Sequence, residues 1–191
     1  MKRYCITGGI GAGKSYVCRI MEEYGISIYD CDTAAKRLMN TSESLKQQLT
    51  ELIGDEAYRD GILNKPAVAQ FLLASETNKQ AINAIVHPAV MADFQASGLQ
   101  WMESAILYEA HLEGYVDGVV AVTAPTELRI QRIMKRDGIS YDKAKEWIEK
   151  QASQEEVAQR ADFVVVNDGE VRPRIEKLLE FFNIKANNNQ Q

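Results

Sequence analysis

The residues whose types and spacing can do chemistry stand near the amino terminus, as Gly-Gly-Ile-Gly-Ala-Gly-Lys-Ser at positions 8–15. This octet matches the phosphate-binding (Walker A) pattern G-x-x-x-x-G-K-[ST], in which glycines let backbone amides approach a phosphate closely. The pattern predicts that Lys14 reaches the β- and γ-phosphates and that the Ser15 hydroxyl is a ligand of Mg²⁺. The alternative is a glycine-rich turn that only happens to precede a helix. Because the glycines, the lysine and the serine all stand at the positions that the pattern requires, we expect the chain to bind a nucleoside triphosphate.

A second candidate group is the pair of carboxylates in Asp30-Cys31-Asp32, which follows the apolar run at positions 26–29. Phosphoryl transfer depends on positioning and electrostatics, and it needs one carboxylate to accept the proton of the acceptor hydroxyl. We predict that Asp32 has this catalytic role and that Asp30 contacts the metal through water. The alternative is that Asp32 only caps a helix beginning at Thr33, a common use of aspartate. One residue can also serve both purposes.

A third group is the basic stretch between positions 129 and 150, in a chain that is otherwise acidic. Arg132 and Arg136 are four apart, so a helix places them on one face where both can turn toward a single anion. The planar fork of arginine suits phosphate oxygens. We predict a mobile helical lid that brings Arg136 over the transferring phosphate and excludes water. A solvated, charged helix face is the alternative. The basic residues of the stretch are Arg129, Arg132, Lys135, Arg136, Lys143, Lys145 and Lys150.

The elements that position these groups are indicated by hydrophobic patterning. Short β-branched runs predict five strands, and helical patterns separate most of them. Strands alternating with helices are typical of an α/β fold with a parallel sheet, whose ligand lies at the carboxyl ends of the strands. The predicted strands are Tyr4–Thr7, Ile26–Tyr29, Trp101–Leu107, Val119–Thr123 and Phe163–Val166.

The interval 32–99 breaks this alternation, because it holds several helical patterns and no convincing strand. We predict an all-helical insert that receives the second substrate. The fold class is therefore α/β: a single P-loop kinase domain with a five-stranded parallel sheet flanked by helices, the insert, and a helical lid at 127–157, called the lid segment below. The core would comprise residues 1–31, 100–126 and 158–185. The polar tail at 186–191 lacks an apolar anchor, and we expect it to be disordered.

Composition excludes several classes of protein. The chain has 191 residues, 46% of them hydrophobic, and its 27 acidic against 22 basic residues argue against a nucleic-acid partner held by bulk charge. Its three cysteines show no C-x-x-C spacing, so a disulfide framework or zinc site is not expected. No apolar run approaches the length of a membrane span, and the chain opens directly into a strand. We expect a cytoplasmic protein that does not engage membranes.

Taken together, these motifs resemble the dephospho-CoA kinase family. That family pairs a T-G-G-I-G-[SA]-G-K-S loop with a D-[AC]-D motif, here at 7–15 and 30–32. Motif order and spacing agree over residues 3 to about 182. The further matching segments are His87-Pro88, Leu107-Tyr108-Glu109, the run 132–138 and the run 161–169.

The resemblance implies an ATP-dependent phosphotransferase that phosphorylates the ribose 3′-hydroxyl of dephospho-CoA, giving CoA and ADP, in the last step of coenzyme A biosynthesis. It also implies Mg²⁺ as the cofactor. His87 and Glu109 would contact the acceptor together with Asp32, although a core histidine and a capping glutamate are the alternatives. Asn167 would lie at the adenine pocket, unless it only begins an Asn-Asp-Gly turn. The predicted ATP contacts are Gly9, Ile10, Gly11, Ala12, Gly13, Lys14, Ser15, Tyr16, Arg132, Arg136 and Asn167.

The chain departs from the family pattern at three positions. Tyr16 replaces a threonine after the loop, Ala105 replaces the proline of P-L-L-[FV]-E, and Val157 replaces a lysine. Two rival functions stay open at this point. One is another small-molecule or nucleotide kinase of the same superfamily, and the other is a non-catalytic nucleotide-binding module.

Overall fold

The protein is described here by a computed structural model that covers residues 1–184. The tail at 186–191, predicted to be disordered, lies outside the described residues. The chain divides into two compact units, one formed by residues 1–29 and the residues from 99 onward, the other by residues 30–98.

The strands form one five-stranded parallel sheet and one separate hairpin. The order in the main sheet is β2-β5-β1-β6-β7, so β1 is central and feeds the phosphate loop. In the register of the central strands, Cys5 lies opposite both Met102 and Val119. The strands are β1 (Tyr4–Thr7), β2 (Ile28–Asp30), β3 (Tyr58–Arg59), β4 (Ile62–Leu63), β5 (Trp101–Glu103), β6 (Gly118–Thr123) and β7 (Phe163–Val166).

Helices flank this sheet and build most of the second unit. Helix α1 buries Val17, Ile20 and Met21 at the helical spacing seen in the sequence, and Gly25, with φ of 81°, follows its end. This face packs into the main core with residues of β1, β6, β7 and α9. The helices are α1 (Lys14–Glu23), α2 (Cys31–Thr41), α3 (Glu43–Ile53), α4 (Lys65–Ala74), α5 (Glu76–Ser97), α6 (Thr126–Asp137), α7 (Tyr141–Glu149), α8 (Gln154–Arg160) and α9 (Arg172–Phe181).

Three predicted strands have different bounds in the structure. Strand β6 begins at Gly118, one residue before the predicted Val119. Strand β5 ends at Glu103, and the apolar residues that follow lie in turns where Leu107 O accepts from Leu112 N at 2.9 Å. Leu107 is fully buried, so its apolar character reflects packing of the turn and not strand pairing. Strand β2 begins at Ile28 because Ile26 N still donates to Met21 O of α1.

The second unit contains a short hairpin that the all-helical prediction missed. Strands β3 and β4 pair antiparallel around Asp60-Gly61, whose φ angles are 51° and 76°. Two positive φ angles are what a type I′ turn requires, and Asp-Gly is a common sequence for it. The hairpin is tied to α2, since Tyr58 Oη donates to Met39 O at 2.7 Å. The insert prediction was therefore wrong in being all-helical.

The helices of residues 1–184 include none with both the length and the apolarity needed to cross a membrane.

Candidate active site

The phosphate loop joins β1 to α1 and depends on glycine geometry. Gly13, the residue before α1, has φ of 90°, and a Cβ atom there would lie 2.2 Å from Asn167 Nδ2. A side chain at this position is excluded by both backbone conformation and space. Gly13 O accepts from Tyr16 N and Val17 N, which starts the helix directly behind the loop.

Several of the groups predicted to bind phosphate lie at the loop. Lys14 Nζ donates to Gly8 O at 2.9 Å, so the ammonium lies folded over the loop. Ser15 is exposed in the first turn of α1. Within residues 1–184, nothing accepts a hydrogen bond from the amides of Gly11 or Gly13. The loop therefore offers backbone donors at a helix N-terminus, where an anion is stabilised.

Asn167 supports the loop from the end of β7. Its side chain is buried, with 2% of the residue exposed, and Nδ2 donates to Ala12 O at 2.9 Å. Its Oδ1 accepts from Arg132 Nη2 at 3.2 Å, and its backbone N donates to Thr123 O. An Asn-Asp-Gly turn alone would not require these side-chain contacts.

Helix α6 places two arginines against the carbonyls of the loop. Arg129 Nε donates to Ile10 O at 2.9 Å, and Arg132 Nη1 donates to Gly11 O and Ala12 O at 3.3 and 3.2 Å. Arg129 is only 3% exposed, and this burial lowers the pKa of its guanidinium from the ordinary value. Sequence reasoning named Arg132 but missed Arg129 as a site residue. The spacing of three from Arg132 puts Arg129 near the same helix face, but Arg136 stands four residues from Arg132, so spacing alone does not select Arg129.

Arg136 lies at the other end of the same helix and does not share this environment. Its side chain is 61% exposed, and the guanidinium pairs with Asp137, with Nη2 to Oδ2 at 2.8 Å. The hydrogen bonds from Arg136 hold the pKa of Asp137 below its ordinary value. The structure thus brings Arg132 to the loop and leaves Arg136 on the surface.

A cavity of about 470 Å³ opens beside the loop. Its volume is within the range of small-molecule sites. Tyr16 is 44% exposed there, and the Arg19 guanidinium lies 6.0 Å from the centre of its ring. The lining residues are Gly13, Ser15, Tyr16, Arg19, Arg132, Asn167 and Gly169.

The carboxylate at the end of β5 is Glu103, not Glu109. Because the strand ends at Glu103, Glu109 lies in the following turns, where it is exposed. Glu103 Oε2 accepts from the Cys18 thiol at 3.6 Å. Burial, followed by the nearby Glu103 charge, raises the pKa of Cys18, so this thiol stays protonated. The predicted strand Trp101–Leu107 would have placed Glu109 close to its carboxyl end, and that placement was wrong. The contact of Glu109 with an acceptor stays a prediction.

In the second unit, Asp30 and Asp32 have different environments. Helix α2 begins at Cys31, and its cap is Asp30, whose Oδ1 accepts from Thr33 N at 2.9 Å and Oδ2 from Thr33 Oγ1 at 2.8 Å. The alternative in which Asp32 caps a helix starting at Thr33 is therefore wrong. Asp32 lies exposed in the first turn, and its carboxylate has no hydrogen-bond partner among residues 1–184.

His87 lies in the middle of α5, immediately before Pro88, which is inside the helix. It is partly buried, and this burial lowers the pKa of its imidazole. A neutral ring can donate or accept a hydrogen bond at neutral pH, which suits a contact with a polar acceptor as well as a core position.

The residues present fit a divalent metal that arrives with a nucleotide. Among residues 1–184, no three His, Cys, Asp or Glu side chains converge as a metal cluster. Mg²⁺ bound with a triphosphate needs only one or two protein ligands, because phosphates and water supply the others. The hydroxyl of Ser15, exposed in the first turn of α1, is a group that can supply such a ligand.

Residues 4–173 match the family model described as Dephospho-CoA kinase. The chain belongs to the dephospho-CoA kinase family. A relative of the same name from Bacteroides fragilis is 40% identical over 186 residues, covering 92% of this chain and 88% of the relative.

Solved structures share the fold of this chain. TT1252 from Thermus thermophilus superimposes with a TM-score of 0.80 at 30% identity, over 94% of this chain and 96% of that one. A dephospho-CoA kinase from Campylobacter jejuni gives a TM-score of 0.67 over 95% and 98% of the two chains, and its 19% identity shows the common fold alone.

The three departures from the dephospho-CoA kinase pattern lie in different environments. Tyr16 faces the cavity beside the loop. Ala105 is half-buried in the turns after β5, and Val157 is buried in α8. Of the three, only Tyr16 lines the cavity beside the loop.

Proposed function

We propose that the protein transfers the γ-phosphoryl group of ATP to the ribose 3′-hydroxyl of dephospho-CoA, giving CoA and ADP. The observation that carries this proposal is a complete phosphate loop, with the Gly11 and Gly13 amides available, in a chain of the dephospho-CoA kinase family. The same reaction is the last step of coenzyme A biosynthesis.

ATP is proposed to lie with its phosphates on the loop and its adenosine in the adjacent cavity. The Lys14 ammonium would leave the Gly8 carbonyl and donate to β- and γ-phosphate oxygens instead. A hydrogen bond between two charged groups is stronger than one to a neutral carbonyl. The Tyr16 ring and Asn167 line the cavity on the adenosine side. Arg132 contributes by holding the loop, because its nitrogens already contact Gly11 O, Ala12 O and Asn167.

We assign Mg²⁺ as the metal of the reaction, held by the Ser15 hydroxyl and, through water, by Asp30. When bound with ATP, the ion neutralises charge on the β- and γ-phosphates. Asp30 also stabilises the start of α2 without a metal, because its two carboxylate oxygens accept hydrogen bonds from Thr33 N and Thr33 Oγ1.

Asp32 is proposed as the group that accepts the proton of the 3′-hydroxyl. Its exposed carboxylate has no competing hydrogen bond among the described residues, so it is available to a substrate hydroxyl. As the bond between O3′ and the γ-phosphorus forms, the bond from that phosphorus to the bridging oxygen breaks and ADP leaves. His87 and Glu109 are further proposed acceptor contacts, and residues 32–99 would form the acceptor-binding insert.

Arg136 is proposed to stabilise charge on the transferring phosphoryl group when the lid segment, residues 127–157, closes. In the structure it pairs with Asp137 at the surface. Exposed ion pairs contribute little to stability, so exchanging Asp137 for a phosphate is not strongly opposed. Placing Arg136 over a phosphate then adds a charged donor at the point where negative charge develops.

The test is ADP release by the purified protein with Mg-ATP, with and without dephospho-CoA, and mass detection of the product. We expect acceptor-dependent ADP release and a product heavier by one phosphoryl group. The Lys14→Ala variant, prepared in the same way, controls for contaminating kinases and should lose most of this activity.

Two results would contradict the proposal. Acceptor-dependent turnover with shikimate or a nucleoside, but none with dephospho-CoA, would indicate another small-molecule kinase. ATP binding without turnover on any acceptor would indicate a nucleotide-binding module.

A further inference from the structure

Ile10, at the tip of the phosphate loop, is held from both sides by side chains distant in sequence. Its N–H donates to Gln151 Oε1 at 2.7 Å, and its carbonyl accepts from Arg129 Nε at 2.9 Å. Both partners come from the lid segment, since Arg129 is in α6 and Gln151 follows α7. The backbone at Ile10 therefore depends on residues outside the phosphate-binding motif.

The side chain of Ile10 adds a third attachment. It packs against a small hydrophobic cluster that is separate from the main core. Apart from Ile10, the members of this cluster lie in α6, in α7 and in the turn between these helices. The tip of the phosphate loop therefore packs into the hydrophobic core of the lid segment. The cluster comprises Ile130, Ile133 and Ala144, with Met134, Ile139, Trp147 and Ile148 packed around them.

The contacts to the loop carbonyls fix the direction of the phosphate-binding amides. A trans peptide is planar, so the carbonyl of one residue and the N–H of the next point in opposite directions. Arg129 holds Ile10 O, which aims the Gly11 N–H to the opposite side. Arg132 and Asn167 hold Ala12 O, which does the same for the Gly13 N–H.

Both of these amides lack an acceptor among residues 1–184. The space behind the loop is filled as well, because a Cβ atom at Gly9 would lie 2.4 Å from Arg129 Nη2 and 3.2 Å from Gln151 Oε1. The loop cannot retreat in that direction without displacing both side chains. Its amides are therefore aimed before a phosphate binds, which lowers the cost of binding.

We propose that Arg129 and Gln151 are positioning residues that set the ATP-binding shape of the phosphate loop through Ile10 and couple that shape to the lid segment. The proposal rests on the ATP-binding role proposed above. Neither side chain needs to touch ATP. Motion of α6 and α7 would move Ile10, and a phosphate that fixes the loop would in turn restrain α6 and α7.

The test uses two variants that keep size but change the contact to Ile10. Gln151→Met removes the acceptor for the Ile10 N–H, and Arg129→Lys keeps the charge but loses the planar fork. The matched control is Lys150→Met, because Lys150 is exposed and next to Gln151, and its ammonium pairs with Glu146 alone among residues 1–184. Each variant is compared with the wild type for the Kd of Mg-ATP, the KM of both substrates and the thermal midpoint.

We expect Gln151→Met and Arg129→Lys to raise the Kd and KM for ATP about tenfold, the effect of losing one well-placed hydrogen bond. The KM for dephospho-CoA and the thermal midpoint should change little, and Lys150→Met should match the wild type. An ATP Kd within twofold of the wild type in both variants would overturn the proposal. Equal rises in both KM values together with a lower thermal midpoint would also overturn it, since they indicate a purely structural role.

Coupling has its own readout, because Trp147 is in the cluster that contains Ile10 and the sequence has only one other tryptophan, Trp101. In a Trp101→Phe background, Mg-ATP should change Trp147 emission, and adding Gln151→Met should reduce that change at saturating ATP. An unchanged response in the double variant would contradict coupling through Gln151. Failure of the wild type to bind ATP at all would instead contradict the function proposed above.

Discussion

The phosphate loop and the aspartate turn, residues 30–32, are equally clear in sequence but are built in different ways. Side chains from α6 and from the end of β7 hold the loop carbonyls, and the residues that hold them, such as Arg129 and Asn167, are buried. In the aspartate turn, the partners of the Asp30 carboxylate among residues 1–184 are the amide and hydroxyl of its neighbour Thr33, and Asp32 is exposed. A site for a constant group such as phosphate can be rigid before binding. A group that exchanges a proton with an acceptor has to remain accessible.

The largest effect is expected at Asp32, the exposed aspartate of the aspartate turn. Asp32→Asn is nearly isosteric, so ATP binding on the loop should be retained while kcat falls roughly 10²- to 10⁴-fold, the usual range for a lost general base. Steady-state kinetics and an ATP titration measure the two quantities. The matched control, Asp55→Asn, changes another exposed aspartate of the same unit and should have wild-type kinetics. Near-normal kcat in Asp32→Asn would remove Asp32 from the catalytic role.

The next effect concerns the loop itself. Lys14→Ala removes the charged donor expected to reach the phosphates, which should weaken ATP binding about 10- to 100-fold and lower turnover as well. Lys177→Ala, at an exposed position of α9, is the control and should leave both unchanged. An unaltered ATP affinity in Lys14→Ala, measured by calorimetry, would show that backbone amides alone hold the phosphates.

A smaller effect is expected at Tyr16, where this chain departs from its family. Tyr16→Thr should raise the KM for ATP about five- to tenfold, because stacking of a base on an aromatic ring is lost. Tyr16→Phe retains the ring and should behave as the wild type. Since every base has a π face, the ratio of ATP to GTP usage should change little in either variant. Equal KM values in Tyr16→Thr and the wild type would exclude a stacking role.

Sequence patterns correctly predicted the features that depend on residues close together in the chain. The loop, the strand before it and the helix after it follow from glycine, lysine and apolar spacing, and the family was identified from motifs. The same patterns missed features that depend on contacts between residues far apart in the sequence. Nothing local distinguishes the buried Arg129 from the exposed Arg136 on the same helix, because burial depends on what packs against each. The end of β5 was also misplaced, since an apolar turn such as the one around Leu107 has the composition of a strand.

The hairpin of β3 and β4 was missed although the sequence contains a turn signal for it. Asp60-Gly61 is a strong turn sequence, but each flanking strand is only two residues long. Strands this short have too few residues for an alternating pattern to be recognised. Their stability comes from contacts within the second unit, such as Tyr58 Oη to Met39 O, which no local pattern reveals.

The smallest effect expected is at Asp30, and it separates the two functions assigned to that residue. Asparagine caps a helix about as well as aspartate, so Asp30→Asn should leave the free energy of unfolding within a few tenths of a kcal/mol of the wild type. Asp30→Ala removes the acceptor for Thr33 N and should cost about 1 kcal/mol, measured by urea denaturation. If Asp30 also contacts the metal through water, both variants should require a several-fold higher Mg²⁺ concentration for half-maximal activity. An unchanged Mg²⁺ dependence in Asp30→Asn would show that Asp30 is only a cap, and the catalytic role of the aspartate turn would then rest on Asp32 alone.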